Sequence, residues 1–133
     1  MLFRSAWPTA SKGPSVAWQA YTAQALETAK SDHEAAIVDI YADWCLPCVE
    51  LDHVTFHNPE VIQVLSAIAA LRVDVTREAS PDAEQLMQRH EIYGVPTVLF
   101  FDGTGVERTD LRVTGFVPPG EFLRRLHLLQ LKR

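Results

Sequence analysis

Cys45 and Cys48 are the only two cysteines of the chain, separated by Leu46 and Pro47. Two thiols at this spacing can close a small disulfide ring or open to a dithiol, which makes the pair a redox switch. The run from Ala35 to Ala42 that precedes them is apolar and β-branched apart from Asp39, and the residues that follow read as a helix. Cys45 therefore falls where a buried strand hands over to a helix start. Free N–H groups and the helix dipole stabilise an anion there, which makes Cys45 the thiolate nucleophile and leaves Cys48, one turn further in, to resolve a mixed disulfide.

Other side chains around the pair admit more than one reading. Cys45, Cys48, His53 and His57 bring two thiols and two imidazoles into one stretch, a composition that suits structural zinc. On a helix continuing from Cys48, however, His53 lies about 140° round the axis, so the two cannot readily share a metal. A pair of inert buried cysteines is the other alternative. Asp39 is either a buried acid with a role or a polar residue at a strand edge. Asp52 stands seven residues after Cys45 and four after Cys48. On a continuous helix it shares their face, or else it is a solvated acid beside Glu50. Trp44 either shapes a surface over the thiols or is a core aromatic.

The elements that must hold these residues follow from periodicity. Trp18, Tyr21, Ala25, Leu26 and Ala29 recur at helical spacing, which predicts a helix from Trp18 to about Lys30. After the strand at 35–42 comes a helix from Cys45 to about His53, then a second opened by Asn58 as cap and Pro59 at the first helical position. Leu71 to Val75 reads as a strand, Ser80-Pro81 with Glu84 opens a helix ending near His90, and Val95 to Phe101 is a third strand. Asp102-Gly103-Thr104-Gly105 signals a turn into a fourth strand at about Leu111–Thr114, forming an antiparallel hairpin. Pro118 to Gln130 closes the chain as a helix with Phe122, Leu123, Leu126 and Leu129 on its inner stripe. Strands alternating with helices predict an α/β domain, a central mixed sheet of four to five strands with helices on both faces.

Bulk properties narrow the functional classes. A chain of 133 residues is one domain by length, and an apolar fraction of 47% with a charged fraction of 22% is ordinary for a globular protein. A net charge of −5 disfavours nucleic acid as a partner. Residues 1–15 hold Pro8, Gly13 and Pro14 without a period and read as a linker or flank, leaving 16–133 as the domain. The first residues lack the apolar core of a signal peptide, and no apolar run approaches membrane-span length, so the chain is expected neither to export itself nor to cross a bilayer.

The stretch Val38-Asp39-Ile40-Tyr41-Ala42-Asp43-Trp44-Cys45-Leu46-Pro47-Cys48, with Gly94-Val95-Pro96-Thr97 far downstream, resembles the thioredoxin superfamily. Val54-Thr55-Phe56, Asn58-Pro59-Glu60-Val61, Asp74-Val75-Thr76, Phe100-Phe101-Asp102-Gly103 and Arg112-Val113-Thr114-Gly115-Phe116 further resemble the C-terminal thioredoxin-like domains of the DsbD family. The lysine that usually follows the second cysteine of ordinary thioredoxins is Val49 here. The resemblance implies a thioredoxin fold and a disulfide reductase using Cys45 and Cys48, with no cofactor beyond that disulfide. It implies that Pro96 is a cis-proline beside the disulfide, that the Val95 backbone and Trp44 bind substrate, and that Asp39 relays protons beneath the site. Asp52 matches an acid of the DsbD family, and the two acids are expected to raise the cost of a Cys45 thiolate, which favours a reducing role. The implied partners are protein thiols and disulfides: a membrane-embedded electron-donor domain and periplasmic acceptor domains. The implied place is the periplasmic side of the bacterial inner membrane, and a monomer is expected. A stand-alone cytoplasmic thioredoxin and a redox-inert binding module of the same fold are the alternatives.

Overall fold

The computed structural model describes residues 14–131. Residues 1–13 of the expected flank lie outside them. Four strands form one sheet: β1 (Gln19–Ala20), β2 (Ala36–Tyr41), β3 (Ala69–Asp74) and β4 (Thr97–Phe101), in the order β1-β3-β2-β4. β3 runs parallel to both β1 and β2, and β4 pairs antiparallel to β2, so the sheet is mixed. Five helices flank it: α1 (Ala23–Ser31), α2 (Leu46–Glu50), α3 (Pro59–Leu65), α4 (Pro81–Arg89) and α5 (Pro119–Gln130).

Side-chain parity along the strands builds two cores. Ile37 of β2, Ala70 of β3, and Val98 and Phe100 of β4 face one way, where Phe56, Val61, Leu65, Phe122 and Leu126 cover them. Val38, Ile40, Leu71, Val73, Leu99 and Phe101 face the other way and are covered by Ala29 of α1 and by Ala83 and Leu86 of α4. Alternate residues of a strand point to opposite faces, so Asp39 and Arg72 belong to the first face. They are register partners on neighbouring strands.

The local signals act largely as expected. The Asn58 side chain accepts from the N–H groups of Glu60 and Val61, with Pro59 opening α3, and Ser80 accepts from Ala83 N–H ahead of Pro81. Three elements differ. The helix expected from Trp18 is β1 followed by a helix that starts at Ala23, because Thr22 caps it by accepting from Ala25 N–H at 3.0 Å. The helix expected to run through His53 changes at Glu50 into a π-type turn over Leu51–Thr55, closed by Phe56 N–H donating to Leu51 O at 2.8 Å. The fourth strand of the expected hairpin is reduced to single bridges, Phe101 to Glu107 and Val98 to Val113. The turn itself is present, with Asp102 Oδ1 accepting from Thr104 and Val106 N–H. Beyond it a 3-10 turn at Thr109–Leu111 loops out of the ladder, and Arg108 closes on Asp110 across it.

Candidate active site

The two cysteines are joined as a disulfide at the start of α2, with Cα atoms 5.2 Å apart. Cys45 is the cap residue of that helix, in extended backbone geometry, and its Sγ accepts from Cys48 N–H at 3.3 Å. A backbone donor aimed at this sulfur stabilises negative charge on it. Position at a helix start does not expose Cys45, which is 6% exposed against 3% for Cys48. The cause is packing: Ala42 closes a small cluster with both sulfurs, and Tyr41, Val75 and Val95 lie against it.

The loop before the disulfide is tied to the end of β3. Asp43 N–H donates to Thr76 Oγ1 at 2.9 Å, and the Trp44 indole N–H donates to Thr76 O at 3.1 Å. Trp44 is 67% exposed, which excludes the core-aromatic reading and turns its ring toward solvent next to Cys45. The Val95–Pro96 peptide is cis. Thr97 Oγ1 donates to Gly94 O at 2.7 Å, bracing the loop. Val95 thus reaches the disulfide from the far end of the sheet sequence, while Leu46 and Tyr93 stand exposed nearby in the chain.

Beneath the first face of the sheet the two acids are held by one cation. Arg72 donates from Nε to Asp39 Oδ2 at 2.8 Å, its Nη2 lies 2.8 Å from the same oxygen, and Nη2 also donates to Asp52 Oδ1. The guanidinium covers the rings of Trp18 and Tyr41, with 4.4 and 4.3 Å to their centroids. Asp39 is 1% exposed, and its other oxygen, Oδ1, is buried with no hydrogen-bond partner among the described residues. Burial pushes the Asp39 carboxyl up to about 6, against the opposing charge and hydrogen bond of Arg72, and Asp52 adds a smaller upward push. Burial likewise works against the Arg72 charge, but Asp39 and Asp52 outweigh it and hold its pKa above the ordinary value.

The structure therefore gathers Cys45, Cys48 and Val95 in one cluster and joins Asp39 to Asp52 through a residue that the sequence reading did not single out. The signal for Arg72 was available: an acid in a buried strand requires a counter-charge, and the neighbouring strand carries an arginine among apolar residues. Asp52 reaches Arg72 from the π-type turn and not from a continuous α-helical face. His53 and His57 meet edge to face at 6.3 Å, and His57 Nδ1 lies 2.6 Å from Asp52 O. Among the described residues no three His, Cys, Asp or Glu side chains are grouped to hold a metal ion.

A family profile of thioredoxin-like domains matches residues 22–130. The thiol:disulfide interchange protein DsbD of Haemophilus ducreyi is 41% identical over 93 residues, covering 70% of this chain and 16% of that protein. DsbD of Klebsiella pneumoniae is 41% identical over 103 residues, covering 77% and 17%. The chain thus spans about a sixth of the length of these relatives. Among solved structures, the reduced C-terminal domain of Neisseria meningitidis DsbD superposes with a TM-score of 0.69 at 28% identity, covering 80% of this chain and 92% of that one. A thioredoxin from Thermus thermophilus gives a TM-score of 0.72 at 25% identity, covering 89% of each.

Proposed function

Because the chain belongs to the family of thioredoxin-like domains, we propose that it is a thiol–disulfide oxidoreductase working as a disulfide reductase through Cys45 and Cys48. The observation that carries this is the disulfide at the start of α2, with Cys48 N–H directed at Cys45 Sγ. In the reduced form the Cys45 thiolate attacks a partner disulfide, forming a mixed disulfide and releasing one partner thiolate. The Cys48 thiolate then attacks Cys45 Sγ, closing the Cys45–Cys48 bond and releasing the second partner sulfur. Two electrons pass to the partner, and the chemistry calls for no group beyond the two cysteines.

Asp39 takes the role of proton acceptor beneath the site, with Asp52 as its companion. Trp44, Leu46 and Tyr93 supply an exposed apolar rim, and the Val95–Pro96 segment supplies backbone against which an extended partner chain lies. The identity with DsbD supports a further step: electrons arrive from a membrane-embedded donor domain and leave to periplasmic acceptor domains, with this unit on the periplasmic side of the inner membrane. No helix among the described residues is long and apolar enough to cross a membrane.

Trapping tests the exchange reaction. Incubated with a disulfide-containing protein such as insulin, the reduced Cys48→Ser variant should accumulate a mixed disulfide through Cys45, whereas Cys45→Ser should trap nothing. Trapping by neither variant, together with no insulin reduction by the parent, would remove the functional assignment. Equilibration against glutathione tests the direction: a reductase remains oxidised at poise where glutathione is reduced, and the opposite outcome would make the domain an oxidant.

A further inference from the structure

We infer that Arg72 is a positioning residue for the exchange reaction: it occupies one oxygen of the buried Asp39, leaves the other free to take a proton, and anchors this arrangement to the more exposed Asp52. The inference rests on the proposed role of Cys45 and Cys48 and deepens it. Both Nε and Nη2 of Arg72 converge on Asp39 Oδ2, while Oδ1 is buried without a partner among the described residues. The same guanidinium reaches Asp52, whose side chain is 32% exposed against 2% for Asp39. One planar cation thus spans from a sealed carboxylate to one in contact with water. Trp18 and Tyr41 lie against its face and confine the fork.

The geometry matters because a carboxylate this deeply buried is otherwise driven to its neutral form, and a neutral acid cannot take a proton. In the resolving step the Cys48 thiol passes its proton to Asp39 Oδ1. The Cys48 thiolate attacks Cys45 Sγ, the Cys45–partner bond breaks, and the partner sulfur leaves with the electron pair and is then protonated. Among the described residues, the charged groups that face Asp39 are Arg72 and Asp52. Arg72 comes from β3 and Asp52 from the π-type turn, β4 opposes it with the apolar Val98, and Tyr41 on its own strand contributes a neutral phenol. The remaining titrating groups of the site are the two thiols. A lysine would not reproduce the arrangement, since an ammonium lacks the planar fork that holds two carboxylates at once and the flat face that stacks on the rings.

The test uses the full chain with Arg72→Gln and Arg72→Lys. The Asp39 carboxyl is followed by carbon NMR in the reduced state, and insulin reduction is measured across pH. Arg72→Gln is expected to move the Asp39 titration to at least about tenfold lower proton concentration. Its exchange rate should fall about tenfold near neutral pH and recover as the pH is raised. Arg72→Lys should show the same displacement to a smaller degree. A rate lowered equally at every pH, with Asp39 titrating as in the parent, would mean a merely structural role and overturn the inference. If Arg72→Gln does not fold, Arg72→Lys decides by the same two readouts. A parent that reduces no disulfide at all would instead defeat the proposed function, and the NMR titration would still report on the Arg72–Asp39 link.

Discussion

At the scale of single residues, Asp39 carries the clearest energetic consequence. Burial raises its carboxyl to about 6, from an ordinary value near 3.9 in an unfolded chain. Between those values the folded state holds the extra proton, so the penalty is absent at lower pH and grows as pH rises through the folded value. Ionised Asp39 therefore costs stability at neutral pH, on the order of 1–3 kcal/mol, even with Arg72 in place. Asp39→Asn should accordingly be more stable than the parent by that amount near pH 7.5 and about equal to it near pH 4, as read by urea unfolding. An advantage that persists unchanged at low pH would point to packing and not to charge. The acids also bear on the nucleophile. With Arg72 between them, Asp39 and Asp52 leave a net charge of one negative where the sequence alone suggested two. Each of Asp39→Asn and Asp52→Asn still removes a negative charge, so the Cys45 thiolate, followed by its ultraviolet absorbance, should form at lower pH in either variant and lowest in the double. No displacement in any of them would separate the carboxylates from the reducing role. The cysteines and the buried acid Asp39 were legible because their types are unusual where they stand, and the cis peptide before Pro96 was legible only through the family resemblance. Arg72 was missed although a buried acid calls for a counter-charge, because an arginine alternating with apolar residues looks like an exposed strand position until its register partner is known.

At the scale of elements, short polar signals fixed the starts of helices better than hydrophobic spacing did. Asn58-Pro59 and Ser80-Pro81 marked α3 and α4 correctly, whereas Trp18 and Tyr21, three residues apart, mimicked a helix and belong to the approach to β1 and the loop after it. Those two rings pack on opposite faces of the sheet, which a helical stripe cannot do. Asn58→Ala should cost about 1 kcal/mol in chemical denaturation, since two helix N–H groups lose their acceptor. The C-terminal end of α1 carries the opposite opportunity. His33 follows that helix at φ 56°, with Glu34 N–H donating back to Ala29 O at 2.8 Å. A glycine adopts this left-handed backbone without the side-chain clash, so His33→Gly should stabilise the fold by roughly 0.5–1 kcal/mol, measured the same way. A loss of stability would mean that the imidazole makes contacts worth more than the strain.

For the whole molecule, alternation of strands and helices was enough to give an α/β domain with helices on both faces, because each strand must be covered twice. The order of strands was not available from that pattern, and neither was the loss of the last strand, which depends on a tight 3-10 turn pulling Thr109–Leu111 away from the ladder. The sheet that results is strongest at its middle. β2 has partners on both sides and buries Ile37, Val38 and Ile40 completely, while β1 pairs over two residues only. Amide hydrogen exchange should therefore be slowest at Ile37, Val38 and Ile40 and should reach Gln19 and Ala20 long before. Comparable protection of β1 and β2 would show that the domain opens only as a whole.

The π-type turn at Leu51–Thr55 makes the length of this segment part of its design. A π turn holds one residue more than an α-helical path between the same ends, and each residue of a helix advances about 100° around the axis. Deleting one residue between Cys48 and Asp52 would let the helix run on in plain α form, with the remaining acid rotated by about that angle from its present direction. The disulfide, the cap and the β2–β3 pairing would survive, yet the link from Asp52 to Arg72 would be cut. Two related chains differing by a single gap here would share a fold and a pair of cysteines while differing in how their acids are wired.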